Sequence, residues 1–188
     1  ISANLNKALC IFVLSQEFKN ELIRRGVKSD IHLTSTKVPD YFISGFDLSM
    51  RQGKAENIMY SGRIEKAKGV YETVDTFSIL KSQYKDLTLT FVGDGSELPM
   101  LKQYVENKKI KDVRFTGELR GEDFKKEYIN ADMYLFLSYT EGMPTVVLEA
   151  MIFGLPIFTR KVGGLIDFFE NGKMGYISSS LDPAVFAE

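Results

Sequence analysis

A single cysteine, Cys10, in 188 residues excludes a disulfide framework and a zinc site of clustered thiolates. It lies in the apolar run ALCIFVL, where it reads as a small buried thiol. No apolar stretch approaches the roughly 20 residues of a membrane-spanning helix, and no signal-peptide layout opens the chain. The net charge is only −1, which leaves no general electrostatic case for nucleic acid. No D-x-D pair occurs, which argues against a divalent cation bridging phosphates, and no metal site or resident cofactor is assigned. No strand is followed by G-x-G-x-x-G with an acid about 20 residues further on, which argues against an NAD-dependent oxidoreductase. Internal repeats and low-complexity tracts are also absent. A reducing, cytoplasmic setting fits these absences best.

Present instead are 44% hydrophobic and 26% charged residues, the balance of an ordinary globular domain. A domain of this size buries about 70% of the surface its unfolded chain exposes, so one full core with a short appendage is expected. The chain opens at Ile1 rather than Met, as a piece of a longer protein would.

Short apolar runs alternate with longer amphipathic ones. Residues 8–14 read as a buried strand, and Ser15 as the N-cap of a helix with Phe18, Leu22 and Ile23 inward and Gly26 at its end. A short strand follows at 31–33, with His32, the only histidine, in a structural role. From 35 to 56 the periodicity vanishes, and Pro39, Gly45 and Gly53 mark a linker. Beyond it the spacing predicts strands at 58–61, 87–92, 113–116, 133–137, 156–159 and 176–178. Helices are predicted at 70–83, 97–108, 122–129, 145–153 and 165–170. Strands alternating with helices of this length imply parallel pairing, and runs such as LTLTFVG and MYLFLS imply strands covered on both faces. The fold class is therefore α/β, a doubly wound parallel sheet. Ligands of such sheets bind beyond the carboxyl ends of the strands, so the loops after strands carry the chemistry.

Four loops stand out. In SGRIEKAKG, residues 61–69, Gly62 lets the chain turn while Arg63 and Lys68 place a guanidinium fork and a point charge in one loop, a pairing that suits a diphosphate. In FVGDGSE, residues 91–97, Gly93 and Gly95 permit close backbone approach, and Asp94 or Ser96 can cap the next helix. In FTGEL, residues 115–119, Phe115 and Gly117 border room for a flat group such as a base. In SYTEGMPTVVLEAMIFGLP, residues 138–156, Pro144 fits the first turn of a helix whose leading amides can receive phosphate or sugar oxygens. Glu141 precedes that helix and Glu149 lies about one turn inside it, in an apolar run where an acid needs a buried partner or a ligand. Further on, Gly163 and Gly164 offer amides that can wrap a diphosphate, with Asp167 near a helix start. Read alone, each loop is also what a tight turn, a capped helix or a solvated basic loop looks like.

Taken in order, these segments resemble the C-terminal, donor-binding domain of GT-B glycosyltransferases of the large retaining family 4. The likeness runs from about Asn57 to the end and is specific at GRI-x4-KG (Gly62 to Gly69) and at E-x7-E (Glu141 to Glu149) with the EAM-x2-G-x-P that follows. The resemblance implies that Arg63 and Lys68 meet the donor diphosphate, Glu141 the donor sugar and Glu149 the ribose hydroxyls. It implies backbone amides from Gly142 and Met143, a base near Phe115 to Gly117, and a cleft lined by Gly93 to Gly95 and closed by Gly163 and Gly164. Pro144 stands where many members have Gly, and Ile166–Asp167 where Pro–Glu is commoner.

The same resemblance divides the chain into 1–44, the end of an incomplete N-terminal acceptor domain, a linker at 45–56, and a nucleotide-sugar-binding domain at 57–188 whose last helix is cut short. The expected activity is transfer of a hexose-type sugar from a nucleoside diphosphate, UDP or GDP ahead of ADP, to a hydroxyl of a growing surface polysaccharide or glycolipid. The expected partners are a nucleotide-sugar donor, a carbohydrate or lipid-linked acceptor and the missing N-terminal domain, and the expected location is the bacterial cytoplasm, with the inner face of the cytoplasmic membrane as the alternative. A nucleotide-sugar-binding module without activity of its own is the alternative.

Overall fold

The computed structural model describes residues 2–51 and 55–188. The chain begins with helix α1 (Ser2–Leu5), strand β1 (Cys10–Val13), helix α2 (Gln16–Arg24) and strand β2 (Asp30–Leu33). The two strands pair in parallel, Cys10 opposite Asp30. Ser15 caps α2 as its sequence predicts, accepting from the Phe18 amide at 3.1 Å, and Gly26 follows in a left-handed turn with φ of 77°. Two details of this unit differ from expectation. Only Leu22 of α2 is buried, against Val13, Val27 and Ile31, while Phe18 and Ile23 are both 54% exposed. Cys10 is exposed as well. A sheet of two strands consists of edges, and one helix covers only one of its faces.

The second unit holds β3 (Asn57–Ser61), α3 (Val70–Gln83), β4 (Thr88–Val92), α4 (Leu98–Asn107), β5 (Val113–Phe115), α5 (Gly121–Asn130), β6 (Met133–Phe136), α6 (Thr145–Ile152), β7 (Ile157–Arg160) and β8 (Gly175–Ser178). Its six strands lie in the order β5-β4-β3-β6-β7-β8 and all pair in parallel. The order runs outward from β3 in one direction and from β6 in the other, which is the doubly wound arrangement, and its switch point lies between β3 and β6. The predicted continuous burial holds: Ile58, Met59, Tyr60 and Ser61 of β3 are all buried, as are Tyr134, Leu135 and Phe136 of β6. Among the described residues no helix is long and apolar enough to cross a membrane.

Local signals misled in two places. The predicted helix at 165–170 is a single 3-10 turn, Gly163–Asp167, because its glycines are pressed against neighbouring backbone and its aspartate is used elsewhere. Neither Asp94 nor Ser96 caps α4. Glu97 takes the N-cap position without a side-chain bond, its amide held by the Ile64 carbonyl at 3.0 Å, while Asp94 turns back to the Gly95 amide at 2.6 Å. Pro144 is the N-cap of α6, which starts at Thr145 as the spacing predicts.

The aperiodic stretch 35–56 is packed as a strap over part of its described length. Phe42 and Phe46 lie against Phe153, with ring centroids 5.3 and 5.0 Å apart, and Lys125 reaches the Ser44 carbonyl. Gly53 lies outside the described residues. Arg51 donates to three carbonyls, those of Phe153, Ala131 and Tyr128, the last at 2.7 Å. These carbonyls close the ends of α5 and α6, where helix dipoles favour a cation. We expect Arg51→Ala to lower the unfolding free energy by about 2–3 kcal/mol, since charged hydrogen bonds to several carbonyls are lost together. Urea denaturation checks it, and a change under about 0.5 kcal/mol, the range of an ordinary surface substitution, would count against the clamp.

Candidate functional site

The site grows from how β3 and β6 end. After β3, the Gly62 amide donates to Val92 O at 3.0 Å and the Ile64 amide to Asp94 O at 2.8 Å, while the Tyr60 hydroxyl donates to Arg63 O at 2.8 Å. Ile64 is fully buried, so the loop backbone is fixed and the Arg63 side chain is turned outward. Arg63 is 69% exposed at its side chain and meets Glu65 at 3.0 Å. A 3-10 turn, Lys66–Lys68, then leads into Gly69, whose φ of 67° starts α3. A Cβ on Gly69 would lie 1.9 Å from the Leu137 carbonyl oxygen, so only glycine lets this loop approach the end of β6.

That approach joins two loops. The Tyr139 amide donates to Ala67 O at 2.9 Å and the Ser138 hydroxyl to the same oxygen at 3.2 Å. Arg160, only 3% exposed, braces the second loop from behind by donating to Leu137 O at 2.7 Å, and its guanidinium lies 4.4 Å from the Tyr139 ring centre. Together these contacts bring Lys68 Nζ to 2.7 Å from Glu141 Oε1, with side chains 16% and 12% exposed. The helix that follows the second loop, α6, begins without a side-chain cap. Among the described residues, the amides of Thr145 and Val146 donate to no acceptor.

Two cavities meet over this corner. One of about 210 Å³ is lined by Lys68, Glu141, Met143, Pro144 and Thr145 among others. One of about 350 Å³ is lined by Gly93, Asp94, Glu118, Leu119 and Phe124 among others. Gly62, Arg63 and Val146 border both, so they form one cleft over the carboxyl ends of β3 and β6. A third cavity of about 780 Å³ opens on the other side of Glu141, between α2 and the residues Gly142 and Gly163.

Of the residues singled out from sequence, the structure gathers Gly62, Arg63, Lys68, Gly93, Glu141 and Met143 along the shared cleft, and Gly142 and Gly163 on the third cavity. Others stand elsewhere. Gly95 faces the backbone of Ile64, 2.4 Å from where its Cβ would be, and lines none of these cavities. Phe115 is stacked on Phe91 with centroids 5.2 Å apart, and Gly117 bridges to Gly93 through its carbonyl at 2.8 Å. The two residues that follow Gly117, Glu118 and Leu119, are the ones that reach the cleft. Gly164 is pressed against Met143 and the Leu14 carbonyl. Asp167 accepts from the Gln16 amide at 2.8 Å, at the start of α2.

Glu149 lines none of the three cavities described above. It lies one turn beyond Val146 on α6, and its Oε2 accepts the Tyr128 hydroxyl at 2.9 Å. This is the buried partner that an acid in an apolar run requires. Burial raises the Glu149 carboxyl above its ordinary value, and the Tyr128 bond opposes that rise. Sequence reasoning missed Tyr128, 21 residues away in the chain, and nothing local to the segment KKEYIN marks it. Among the described residues no group of three or more His, Cys, Asp or Glu side chains could hold a metal ion.

Sheet order and cleft together define a Rossmann-like α/β domain with its accessible groove at the switch point. Residues 49–188 match the family of group 1 glycosyl transferases, and the chain belongs to that family, with a domain of GT-B type. Its relatives include a glycogen synthase of Mycobacterium tuberculosis, 30% identical over 138 residues that make up 73% of this chain and 33% of that protein. The capsular polysaccharide biosynthesis glycosyltransferase CapM of Staphylococcus aureus is 31% identical over 139 residues, 70% of this chain and 34% of that protein. In fold the chain is similar to the pneumococcal O-GlcNAc transferase GtfA, solved with UDP and GlcNAc. That match has a TM-score of 0.82 at 23% identity and covers 99% of this chain and 38% of the other. The chain spans about a third of the length of the curated relatives named here.

A raised carboxyl makes the folded state hold its proton when the unfolded chain has already lost it. Glu149 therefore subtracts stability as pH rises through the ordinary carboxylate range toward its raised value. The variant Glu149→Gln keeps an acceptor for Tyr128 without the charge. We expect its melting temperature, relative to wild type, to rise between pH 4.5 and 7 in the absence of ligand. A difference that stays flat with pH overturns this account of the carboxyl.

Proposed function

We propose that this chain is the nucleotide-sugar-binding half of a retaining glycosyltransferase of the family 4 type. It would pass a hexose-type sugar to a hydroxyl of a growing surface polysaccharide or glycolipid. The observation that carries the reading is the cleft over β3 and β6, where Lys68, Arg63 and the free leading amides of α6 converge. Negative charge develops on the leaving diphosphate as its bond to the anomeric carbon breaks, and preorganised cations and amides stabilise it most at that moment. Lys68 is paired with Glu141. An arriving diphosphate offers Lys68 a second anion, which leaves Glu141 beside the sugar, where its charge favours the oxocarbenium character gained at the anomeric carbon. The 350 Å³ side of the cleft, between Gly93 and Leu119, is the space assigned to the nucleoside. Glu149 is assigned to the ribose.

Residues 1–44 are read as the end of an N-terminal acceptor domain, and 57–188 as the donor domain. Leu9, Phe12 and Leu33 are 97%, 66% and 48% exposed, apolar surface that a larger domain would cover. By itself the chain then acts as a nucleotide-sugar-binding module.

A thermal-shift panel of UDP, GDP, ADP and their sugars tests the assignment, with UDP first because the structurally similar GtfA was solved with it. A ligand at ~100 times its dissociation constant stabilises by ~2.7 kcal/mol. We expect Arg63→Ala combined with Lys68→Ala to abolish the shift. Its survival in the double variant, or a panel without any shift, sinks the proposal.

A further inference from the structure

Behind the cleft lies a chain of hydroxyl groups in the core that the proposed reaction does not use. Tyr134 and Tyr128 are both fully buried, and Ser61 Oγ lies 2.8 Å from each of their hydroxyl oxygens. The chain ends at Glu149 Oε2, 2.9 Å from the Tyr128 hydroxyl. Each hydroxyl carries one proton, and an ionised carboxylate only accepts, so the terminus sets the direction. Tyr128 donates to Glu149 and Ser61 donates to Tyr128, while the single Tyr134 proton has two acceptors on Ser61, its Oγ at 2.8 Å and its backbone carbonyl oxygen at 3.1 Å. Such a chain polarises along its length and holds its members more firmly than isolated pairs do.

The other end of the carboxylate is different. Glu149 Oε1 has no partner among the described residues, yet no fully buried side-chain oxygen among them lacks one, so Oε1 keeps some contact with solvent, although Glu149 itself lines none of the three cavities. Val146, one turn earlier on α6, borders the cleft, and its carbonyl lies 3.3 Å from the same Tyr128 hydroxyl. One oxygen is anchored from inside the protein while the other is left to accept from a ligand. The anchor also leads to Ser61, the last residue of β3, which is followed directly by the cleft residues Gly62 and Arg63.

We propose that Tyr128 is a positioning residue, the last link of a Tyr134–Ser61–Tyr128 relay that aims Glu149 at the ribose hydroxyls of the donor nucleotide. The proposal rests on the reading above that Glu149 takes the ribose. It adds that the discrimination between ribose and deoxyribose depends on a hydroxyl that never touches the ligand. The energetic basis is the single rotamer imposed on the carboxylate, which would otherwise sample several at the cost of its bond to the ligand.

The test uses the 188-residue chain and the nucleoside diphosphate that gives the largest shift in the panel, compared with its 2′-deoxy and 3′-deoxy forms by calorimetric titration. Wild type is expected to prefer the ribonucleotide to at least one deoxy form by ~10-fold or more, the size of one hydrogen bond to a charged group. Tyr128→Phe keeps the ring stacked on Phe153, 5.4 Å between centroids, and removes only the hydroxyl. In that variant the preference is expected to fall below ~3-fold because the ribonucleotide weakens while the deoxy form is unchanged. A purely structural role weakens both nucleotides together and leaves the ratio as it was, and that result overturns the proposal. Should Tyr128→Phe fold too poorly to titrate, Ser61→Ala breaks the relay one link earlier and is expected to lower the ratio in the same direction; an unchanged ratio there overturns it equally. A wild type that binds the nucleotide but ignores both ribose hydroxyls removes the ribose role of Glu149 itself, and the relay falls with it.

Discussion

The ion pair between Lys68 and Glu141 is the constraint on which the site depends. Two opposite charges, mostly withdrawn from water, are held 2.7 Å apart by loops that come from different strands. Such a pair repays its desolvation only when geometry is good, and breaking it from one side leaves a charge stranded. The surrounding structure supplies that geometry: the Ala67 carbonyl is bonded twice by the opposite loop, and Arg160 supports that loop from inside the sheet. A site arranged in this way keeps its cation and its acid mutually satisfied until a third charged group enters. Under the function proposed above, recognition would be an exchange of partners rather than the filling of an unpaired charge.

Most of the fold was legible in the sequence because its signals are local. Alternation of apolar runs and amphipathic stretches gave every strand of the large sheet to within about two residues, and Gly62 and Gly26 marked turns that do adopt positive φ. Signals failed where a nearby backbone group from a distant segment took the role. Asp94 and Ser96 are good capping residues, yet the Ile64 carbonyl reaches the start of α4. The helix expected after Gly163 is shortened because its glycines meet Gly142 and Leu14. Phe18 and Ile23 follow helical spacing, but burial needs something to pack against, and among the described residues the small sheet offers Val13, Ile31 and the partly buried Ile11.

The site was legible in outline and not in its depth. Cations and acids announce themselves, so Arg63, Lys68 and Glu141 could be named from the loops that hold them. The partner of Glu149 could be required but not identified, since Tyr128 comes from another helix and is spaced like any core aromatic. The strap is a related case. A stretch without periodicity reads as a linker, yet Phe42, Phe46 and Arg51 tie it to the ends of α5 and α6. Periodicity reports repeating structure, and a strap held by three side chains has none to report.

The glycine contacts have a consequence for how this protein would look in a saturating mutational scan. Side chains at Gly69 and Gly93 would each collide with a carbonyl oxygen at 1.9 Å, those of Leu137 and Gly62 respectively. Both positions would reject every replacement as strongly as a residue that handles substrate, although their intolerance belongs to the joining of loops. Arg63, whose side chain extends into solvent, would in contrast accept many replacements in an assay that scores folding alone. Abundance and turnover scored side by side would separate the two kinds of position, and a scan of either one alone would confuse the scaffold with the chemistry.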